Sequence, residues 1–209
     1  MSGTAKPRLV VFAKAPRMGA AKTRLARDVG AVAAQRHYRA LTARTLRRVR
    51  DGRWQLELRV TPDGARLPLW RGARISDQAI VDQGRGGLSE RLGRAMAGPR
   101  PVCVIGTDAP EVRAADIAEA FRALRRAELV LGPATDGGFW LIAARGPVPG
   151  ALFADVRWSG PNAAADVAAQ AGHLLGRVAW LRELADVDDG EALRAWRQRK
   201  RLARHLPLA

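Results

Sequence analysis

The sequence predicts an α/β fold in which a mostly parallel sheet is covered by helices on both faces. Short apolar segments alternate with helical patterns along the whole chain, and this alternation is typical of such sheets. No internal repeat or low-complexity tract interrupts it. Because 209 residues suffice for one sizeable core and are short for two, we expect a single domain over residues 1–209.

The first half of the chain begins with an apolar run at residues 8–14, which predicts a strand that enters a loop. An Ala- and Arg-rich stretch without Gly or Pro predicts an amphipathic helix over residues 31–50. Apolar and polar residues alternate over 54–60, as in a half-buried strand. A Pro- and Gly-rich loop then leads to a brief apolar segment at 79–81 and a helix over 88–97.

The second half continues the alternation. Strands are predicted at 102–105, 129–132, 139–143 and 178–181, and helices at 114–126, near 161–175 and near 191–204. Ligands of such sheets bind outside the carboxyl ends of the strands. The residues that follow each strand are therefore the candidates for function.

Composition excludes several classes of protein. With 47% hydrophobic and 27% charged residues, the chain is neither collagen-like, nor a coiled coil, nor wholly disordered. Its 36 basic and 20 acidic residues give a net charge of +16, which raises nucleic acid, anionic membrane or phosphorylated small molecules as partners. Only four of the basic residues are lysines, and a bias of genomic composition explains such a skew equally well.

Cysteine usage and the first residues point to a location. The single cysteine, Cys103, has apolar neighbours, which predicts a buried thiol and a reducing compartment. The first residues lack the apolar run of a secretion signal, and no apolar stretch approaches the roughly 20 residues of a membrane span. We expect a soluble, cytoplasmic protein.

Four cations follow the first predicted strand, in one loop around Gly19. They are Lys14, Arg17, Lys22 and Arg24. A helix that begins after this loop would present free backbone N–H groups, which bind phosphate well together with ammonium and guanidinium groups. The glycine spacing of a P-loop is absent. The alternative is a solvated basic loop in an Arg-rich protein.

Carboxylates follow two other predicted strands. Asp108 comes after the strand at 102–105, and Asp136 precedes Gly137 and Gly138 after the strand at 129–132. Both are expected at one edge of the sheet, opposite the basic loop, so the three features together predict a site for a metal ion and a diphosphate. Taken singly, Asp108 could only cap or turn the chain, and Asp136 could belong to an ordinary tight turn.

Other polar segments carry weaker signals. Residues 83–91 open a helix and could contact a base, a ribose or an acceptor, but Ser89 and Glu90 are equally suited to a first helical turn. Asp186, Asp188 and Asp189 precede the last helix, where we expect them to complement its dipole and cap its amides.

No other catalytic motif competes with this site. The histidines, His37, His173 and His205, have no Cys or acidic partner at metal-ligand spacing. A GxSxG elbow and an HExxH motif are both absent, which excludes the serine hydrolase and zincin patterns.

Five motifs occur in the order and spacing of a bacterial family: FAKAPRMGAAKTRL, QGRGGLSERL, GTDAPEV, LVLGPATDGGFWLI and ADVDDGEAL. On these motifs, over residues 9–193, the chain resembles glycosyltransferase A-type proteins, the nucleotide-diphospho-sugar transferases that include arsenosugar-biosynthesis glycosyltransferases. Molybdenum cofactor guanylyltransferase and 2-phospholactate guanylyltransferase share that fold. The resemblance implies a three-layer α/β/α sandwich with a mostly parallel mixed sheet.

The resemblance also implies roles for individual residues. Asp108 would bind Mg²⁺ or Mn²⁺, and Asp136 would be a second metal ligand or the catalytic base. Gly137, Gly138, Phe139 and Trp140 would form the sugar and acceptor pocket. The nucleotide would be bound by Ala13, Lys14, Arg17, Gly19, Lys22, Arg24, Gln83, Gly84, Arg91 and Thr107.

Four positions depart from the family pattern. Gly87 replaces a common aspartate, Ala109 a cysteine, and Gly160 and Asp189 each a threonine. The change at Gly87 weakens the transfer of a ligand contact to residues 83–91. The two aspartates and the basic loop are untouched.

Three functions stay open at this stage. The first is a metal-dependent glycosyltransferase that moves a sugar from a nucleotide-diphosphate sugar to a small acceptor, and the second is a nucleotidyltransferase that releases pyrophosphate. The third is a basic module that binds nucleic acid or lies weakly on an anionic membrane. Its support is the net charge and a basic last helix with Arg194, Arg197, Arg199, Lys200, Arg201 and Arg204. Because most of the basic residues outside the first loop are arginines scattered over helix faces, the net charge is weak evidence for nucleic acid, and such a partner is disfavoured.

Overall fold

A seven-stranded mixed sheet with helices against both faces forms the described part of the chain. The computed structural model describes residues 6–17, 22–66, 76 and 79–205, with side chains as far as residue 201. The strands are β1 (Arg8–Lys14), β2 (Gln55–Thr61), β3 (Ile80–Asp82), β4 (Val102–Ile105), β5 (Leu129–Pro133), β6 (Phe139–Ala144) and β7 (Val178–Trp180). The helices are α1 (Thr23–Val29), α2 (Ala31–Val49), α3 (Leu88–Met96), α4 (Ala114–Ala123), α5 (Ala163–Leu174) and α6 (Gly190–His205).

The order of strands across the sheet is β3-β2-β1-β4-β6-β5-β7. Only β6 runs antiparallel to its neighbours, so the other six strands all end at the same edge. The chain moves outward from β1 through β2 to β3 and then returns to the other side of β1 as β4. This reversal leaves a crevice beyond the ends of β1 and β4, where α/β sheets bind ligands.

Alternate residues of β1 face the two layers of helices. Leu9 and Val11 pack in the core that α2 and α4 cover, whereas Val10 packs in the core that α3 and α5 cover. All three side chains are fully buried. Burial on both faces explains why this strand is a continuous apolar run in the sequence.

The prediction of an α/β fold with a mostly parallel sheet is confirmed, and the predicted elements differ from the observed ones by at most three residues at either end. The largest difference is at α4, which ends at Ala123 because Arg125 and Arg126 bond to carbonyls three residues back and tighten the chain into turns. A short helix, α1, follows the basic loop, and Gly30 at φ 84° separates it from α2.

Cys103 is buried in β4 as predicted, and burial raises the pKa of its thiol. Part of the predicted loop between β2 and β3, residues 67–75, lies outside the described residues. Across the described ranges, no helix combines the length and apolar character needed to cross a bilayer.

Candidate active site

One cavity of about 590 Å³ opens at the strand ends. The ends of β1 and β4, the turn after β5 and the segment between β7 and α6 border it. Its lining includes these residues of the predicted site: Ala13, Lys14, Lys22, Arg24, Gln83, Arg91, Thr107, Asp108, Asp136, Phe139 and Trp140. The convergence expected from the strand-end rule is therefore present.

Some predicted site residues are placed elsewhere. Arg17, Gly84, Gly137 and Gly138 are not among the residues that line the cavity. The Arg17 side chain is exposed just beyond β1. Gly19 lies outside the described residues.

Tyr38 of α2 fixes the end of β1. Its hydroxyl accepts a hydrogen bond of 2.8 Å from the Lys14 backbone N–H and donates one of 3.0 Å to the Lys14 carbonyl. Burial raises the pKa of this phenol, which is deep in the protein and lines the cavity. These two hydrogen bonds hold the backbone of Lys14, and its side chain is exposed at the cavity. In the sequence Tyr38 was only one apolar position of an amphipathic helix.

Lys22 does not face outward from the basic loop. Its ammonium lies 2.6 Å from Asp108 Oδ1 and also bonds to Asp188 Oδ1, and only 5% of its side chain is exposed. Burial opposes the charge, but the two carboxylates outweigh burial and raise the pKa of Lys22. The sequence placed Lys22 on a diphosphate, whereas the structure pairs it with two of the protein's own acids.

The acidic segment between β7 and α6 reaches the same cavity. Its backbone is held against the strand tips, because Leu184 N–H donates to the Pro133 carbonyl at 3.1 Å and Val187 N–H to the Asp108 carbonyl at 3.0 Å. Asp186 and Asp188 thereby line the cavity beside Asp108.

The assignment of all three acids of this segment to the last helix is wrong for two of them. Asp189 Oδ1 does accept from Ala192 N–H at 2.8 Å and so satisfies the start of α6. Asp186 and Asp188 instead face the cavity. Both lie well beyond the end of β7, so the rule on strand ends does not single them out, and the hydrogen bond from Val187 N–H to the Asp108 carbonyl brings them to the cavity.

Asp186 is the most perturbed acid of the site. Burial, followed by the charges of Asp108, Asp188 and Asp136, raises its pKa to about 7. Its Oδ1 atom is buried and has no hydrogen-bond partner within the described ranges. A buried carboxylate oxygen without a donor fits a site built to receive a cation or a proton.

Asp136 belongs to a turn in which Gly137 is required. Gly138 N–H donates to Asp136 Oδ1 at 2.9 Å, which orients this exposed carboxylate. Gly137 has a φ of 85°, and a Cβ there would lie 2.0 Å from the Pro161 carbonyl oxygen. The tight turn that needs Gly137 is therefore also the turn that places Asp136 at the cavity.

The aromatic pair divides between the two faces of the sheet. Phe139 packs edge-on against Trp158 with ring centroids 6.1 Å apart. Trp140 is buried on the opposite side, where its indole N–H donates to the Arg182 carbonyl at 3.1 Å. Each ring contributes to the wall of the cavity, but from a different core.

Residues 83–91, which lead into α3, divide between contacts within the protein and contacts with the cavity. The Gln83 amide donates to the carbonyls of Ala13 at 3.2 Å and Arg59 at 3.0 Å, so its NH₂ group braces β1 and β2. Ser89 does not line the cavity, and its hydroxyl donates to the Phe153 carbonyl at 3.0 Å, which is a structural contact. Arg91 differs, because it lines the cavity and its buried Nε has no hydrogen-bond partner in the described part of the chain.

Residues 43–160 match the model of a family described as "Uncharacterized protein conserved in bacteria (DUF2064)". This match spans more than half of the 209 residues. The chain belongs to this family. A search of the curated proteins finds no match to this DUF2064 chain.

Several solved structures share the fold of the DUF2064 chain. A Desulfovibrio desulfuricans protein, provisionally assigned as a nucleotide-diphospho-sugar transferase, has 26% identity and a TM-score of 0.83 over 92% of this chain and 86% of its own. The 4-diphosphocytidyl-2C-methyl-D-erythritol synthase of Anaerococcus prevotii has 10% identity and a TM-score of 0.60, over 92% of this chain and 99% of its own. Together these likenesses confirm the nucleotide-diphospho-sugar transferase fold, which nucleotidyltransferases share.

A third structure shows the fold with ligands. The glucosyl-3-phosphoglycerate synthase of Mycobacterium tuberculosis has 14% identity and a TM-score of 0.53, over 87% of this chain and 71% of its own. That structure contains Mn²⁺, UDP and glucosyl-3-phosphoglycerate.

The donor chemistry of the cavity fits a divalent cation. Four carboxylates line it, Asp108, Asp136, Asp186 and Asp188, and oxygen ligands of this kind suit Mg²⁺ and Mn²⁺. The unpartnered oxygen of Asp186 is one such donor. In the described ranges, however, no three His, Cys, Asp or Glu side chains already form a metal site, and the Lys22 ammonium contacts Asp108 and Asp188 instead.

Proposed function

We propose that the protein is a metal-dependent glycosyltransferase that moves a sugar from a nucleotide-diphosphate sugar to a small acceptor. One observation carries this proposal: the same cavity is lined by exposed cations, Lys14 and Arg24, and by four carboxylates. A diphosphate with a divalent cation is the ligand whose charges complement both sets of groups.

The nucleotide diphosphate is bound from the β1 side. Lys14 and Arg24 offer exposed charges, and Arg91 offers a guanidinium with an unpartnered Nε. Thr107 lies just beyond the end of β4, next to Asp108 in the chain, and also lines the cavity. Arg17 and Gly84 have no part in this proposal, because neither lines the cavity.

Asp108 and Asp188 would hold the metal ion, with Asp186 and Asp136 beside them. A bound divalent cation would supply positive charge against the diphosphate of the leaving group. All other steps fall to the chain's own residues.

When the acceptor attacks the anomeric carbon, the bond from that carbon to the diphosphate oxygen breaks and the leaving group keeps the electron pair. Lys14 and Arg24 stabilise the charge that develops on it. Asp136 takes the acceptor's hydroxyl proton. Its Oδ1 accepts a hydrogen bond from Gly138 N–H, which orients the carboxylate for this role. Phe139 packs on Trp158 and shields the sugar end from water.

The second candidate is a nucleotidyltransferase. The likeness to a 4-diphosphocytidyl-2C-methyl-D-erythritol synthase, at a TM-score of 0.60 over nearly the whole of both chains, favours keeping it. In that reaction the same cations would hold a nucleoside triphosphate, and the leaving group would be pyrophosphate. The two candidates differ in product, so a single assay separates them.

The test incubates the protein with Mn²⁺ or Mg²⁺ and either nucleotide-diphosphate sugars or nucleoside triphosphates with a panel of small hydroxyl acceptors. Release of nucleoside diphosphate supports the glycosyltransferase, and release of pyrophosphate supports the alternative. We expect Asp108→Ala to lower turnover by at least about 100-fold. Glu119→Gln, which removes an exposed acid of α4 that does not line the cavity, is the matched control and should leave turnover unchanged.

Two results would contradict the proposal. Full turnover by Asp108→Ala would show that Asp108 does not hold a metal ion needed for the reaction. Absence of both products over the whole panel, with a protein that unfolds cooperatively, would show that the protein is not a transferase of either kind.

A further inference from the structure

We propose that Lys22 is the resident counter-ion of the acidic side of the cavity and that it couples metal binding to the arrival of the diphosphate. In the ligand-free protein its ammonium forms ion pairs with Asp108 and Asp188, so a divalent cation alone binds these carboxylates weakly. When a diphosphate enters, Lys22 moves its charge to the phosphate and releases both carboxylates. This inference rests on the proposed function, because it concerns the same two carboxylates.

The first support is the contact itself. The Lys22 ammonium lies 2.6 Å from Asp108 Oδ1 and bonds to Asp188 Oδ1, while its side chain is only 5% exposed. The two carboxylates are 46% and 45% exposed. The lysine is therefore the buried member of the group, and the acids present their other oxygens to the cavity.

The second support is that three distant parts of the chain build this contact. Lys22 precedes α1 with a left-handed backbone at φ 56°, and its carbonyl accepts from Ala26 N–H at 2.9 Å. The Asp108 carbonyl accepts from Val187 N–H, which fixes the acidic segment against the tip of β4. A lysine that only served a solvated basic loop would not need both partners held in place.

The third support is the distribution of charge. Four carboxylates line the cavity, and within the described ranges Lys22 is the one cation that forms an ion pair with any of them. Three other cations, Lys14, Arg24 and Arg91, line the same cavity without such a contact. Lys22 therefore differs from the other cations of the cavity in being paired with its acids.

These observations predict competition followed by exchange. The ammonium and a divalent cation compete for the same carboxylate oxygens, so metal affinity is low while Lys22 stays. A diphosphate attracts the ammonium and leaves room for the metal, which in turn favours the diphosphate. By linkage, each ligand raises the affinity for the other by the same factor.

The experiment measures Mn²⁺ binding without any nucleotide, by the loss of the electron paramagnetic resonance signal of free Mn²⁺. We expect Lys22→Met to bind Mn²⁺ at least about tenfold more tightly than the wild type. Lys22→Arg keeps the cation, and Arg24→Met removes a charge that also lines the cavity but touches no carboxylate. Both should stay within about threefold of the wild type.

Asp108→Asn in the Lys22→Met background should abolish the gain, which would locate the bound ion. Thermal unfolding of each variant checks folding, and Lys22→Gln repeats the removal of charge if Lys22→Met does not fold. A Lys22→Met protein that binds Mn²⁺ no more tightly than Arg24→Met would overturn the inference. So would a wild type that binds Mn²⁺ as tightly as Lys22→Met at a site lost in Asp108→Asn, although the proposed metal site would then stand.

Discussion

Lys14 and Lys22 line the same cavity, yet their environments are opposite. Lys14 ends β1 with an exposed side chain, and in the described part of the chain no ion pair holds it. Lys22 is almost fully buried and shared between Asp108 and Asp188. A position at the cavity therefore does not fix a cation's role: in the ligand-free protein one lysine carries an exposed charge, and the other is paired with the protein's own acids.

After Asp108, the largest effect is expected from Asp188, the other acid that pairs with Lys22. Asp188 and Asp189 are adjacent, but Asp188 lines the cavity and Asp189 accepts from Ala192 N–H at the start of α6. Asp188→Asn should lower turnover by about 30-fold or more, because a proposed metal ligand and a partner of Lys22 are lost together. Asp189→Asn should keep turnover within about threefold and lower the free energy of unfolding by less than about 1 kcal/mol, because Asn keeps the capping oxygen and loses only the charge that complements the helix dipole.

Steady-state kinetics and urea unfolding of the two variants check this contrast. Equal losses of turnover at both positions would contradict it, because the effect would then come from the segment as a whole and not from the cavity.

The next effect compares the two lysines directly. Lys14→Met should weaken binding of a nucleoside diphosphate about tenfold while stability is unchanged, since an exposed charge available to phosphate is lost. Lys22→Met should lower the free energy of unfolding by about 1–2 kcal/mol, because neighbouring carboxylates lose their counter-ion. Calorimetric titration and urea unfolding measure the two quantities, and the reverse pattern would refute the division of roles.

A smaller effect concerns His37, which senses the charge of Lys22. Burial, then the charges of Arg197 and Lys22, lower the pKa of His37 below its usual 6.5. Below pH 6.5 the unfolded chain therefore takes up this proton more readily than the folded protein, and stability is lost as the pH falls. Above pH 7 both states are neutral at His37, and the loss vanishes.

His37→Gln should reduce the fall in stability between pH 7 and pH 5 by a few tenths of a kcal/mol or more. In the wild type, titration of the His37 ring by NMR should give a pKa that Lys22→Met raises. A His37 pKa unchanged by Lys22→Met would mean that the ammonium is not where the ion pairs place it.

The smallest effect is expected at an ion pair outside the cavity. Arg157 pairs with Asp166 through a side chain that is 67% exposed, in contrast to the 5% of Lys22. Arg157→Met should change the melting temperature by no more than about 1 °C, because solvent screens such a pair. A shift as large as that of Lys22→Met would show that burial does not distinguish the two pairs.

Part of this site was predictable from the sequence, because residues that directly follow a strand can be recognised from the local pattern. The rest depends on contacts between residues that are far apart in the chain. Asp108 and Asp136 directly follow strands with clear apolar patterns, so their meeting at one edge was predictable. Asp186 and Asp188 were attributed to the nearby helix, because the hydrogen bond from Val187 to Asp108 joins residues far apart in the chain. Which acids Lys22 contacts depends on that same long-range bond.

Tyr38 illustrates a second reason. Its ring fits the apolar face of α2 like any other core residue, and only the fold brings its hydroxyl to the backbone of Lys14. The division of Phe139 and Trp140 between two cores is, by contrast, a simple result of strand alternation. It could have been stated from the sequence once β6 was recognised.

Thermal unfolding with a panel of nucleotide-diphosphate sugars, with and without Mn²⁺, tests most directly whether the cavity binds a nucleotide sugar. At least one donor should raise the melting temperature by about 5 °C or more at a concentration near 100 times its Kd, in the presence of Mn²⁺. Asp108→Asn should lose that shift. No shift with any donor, together with tight binding of duplex DNA at about 150 mM salt, would contradict the assignment and favour a nucleic-acid module.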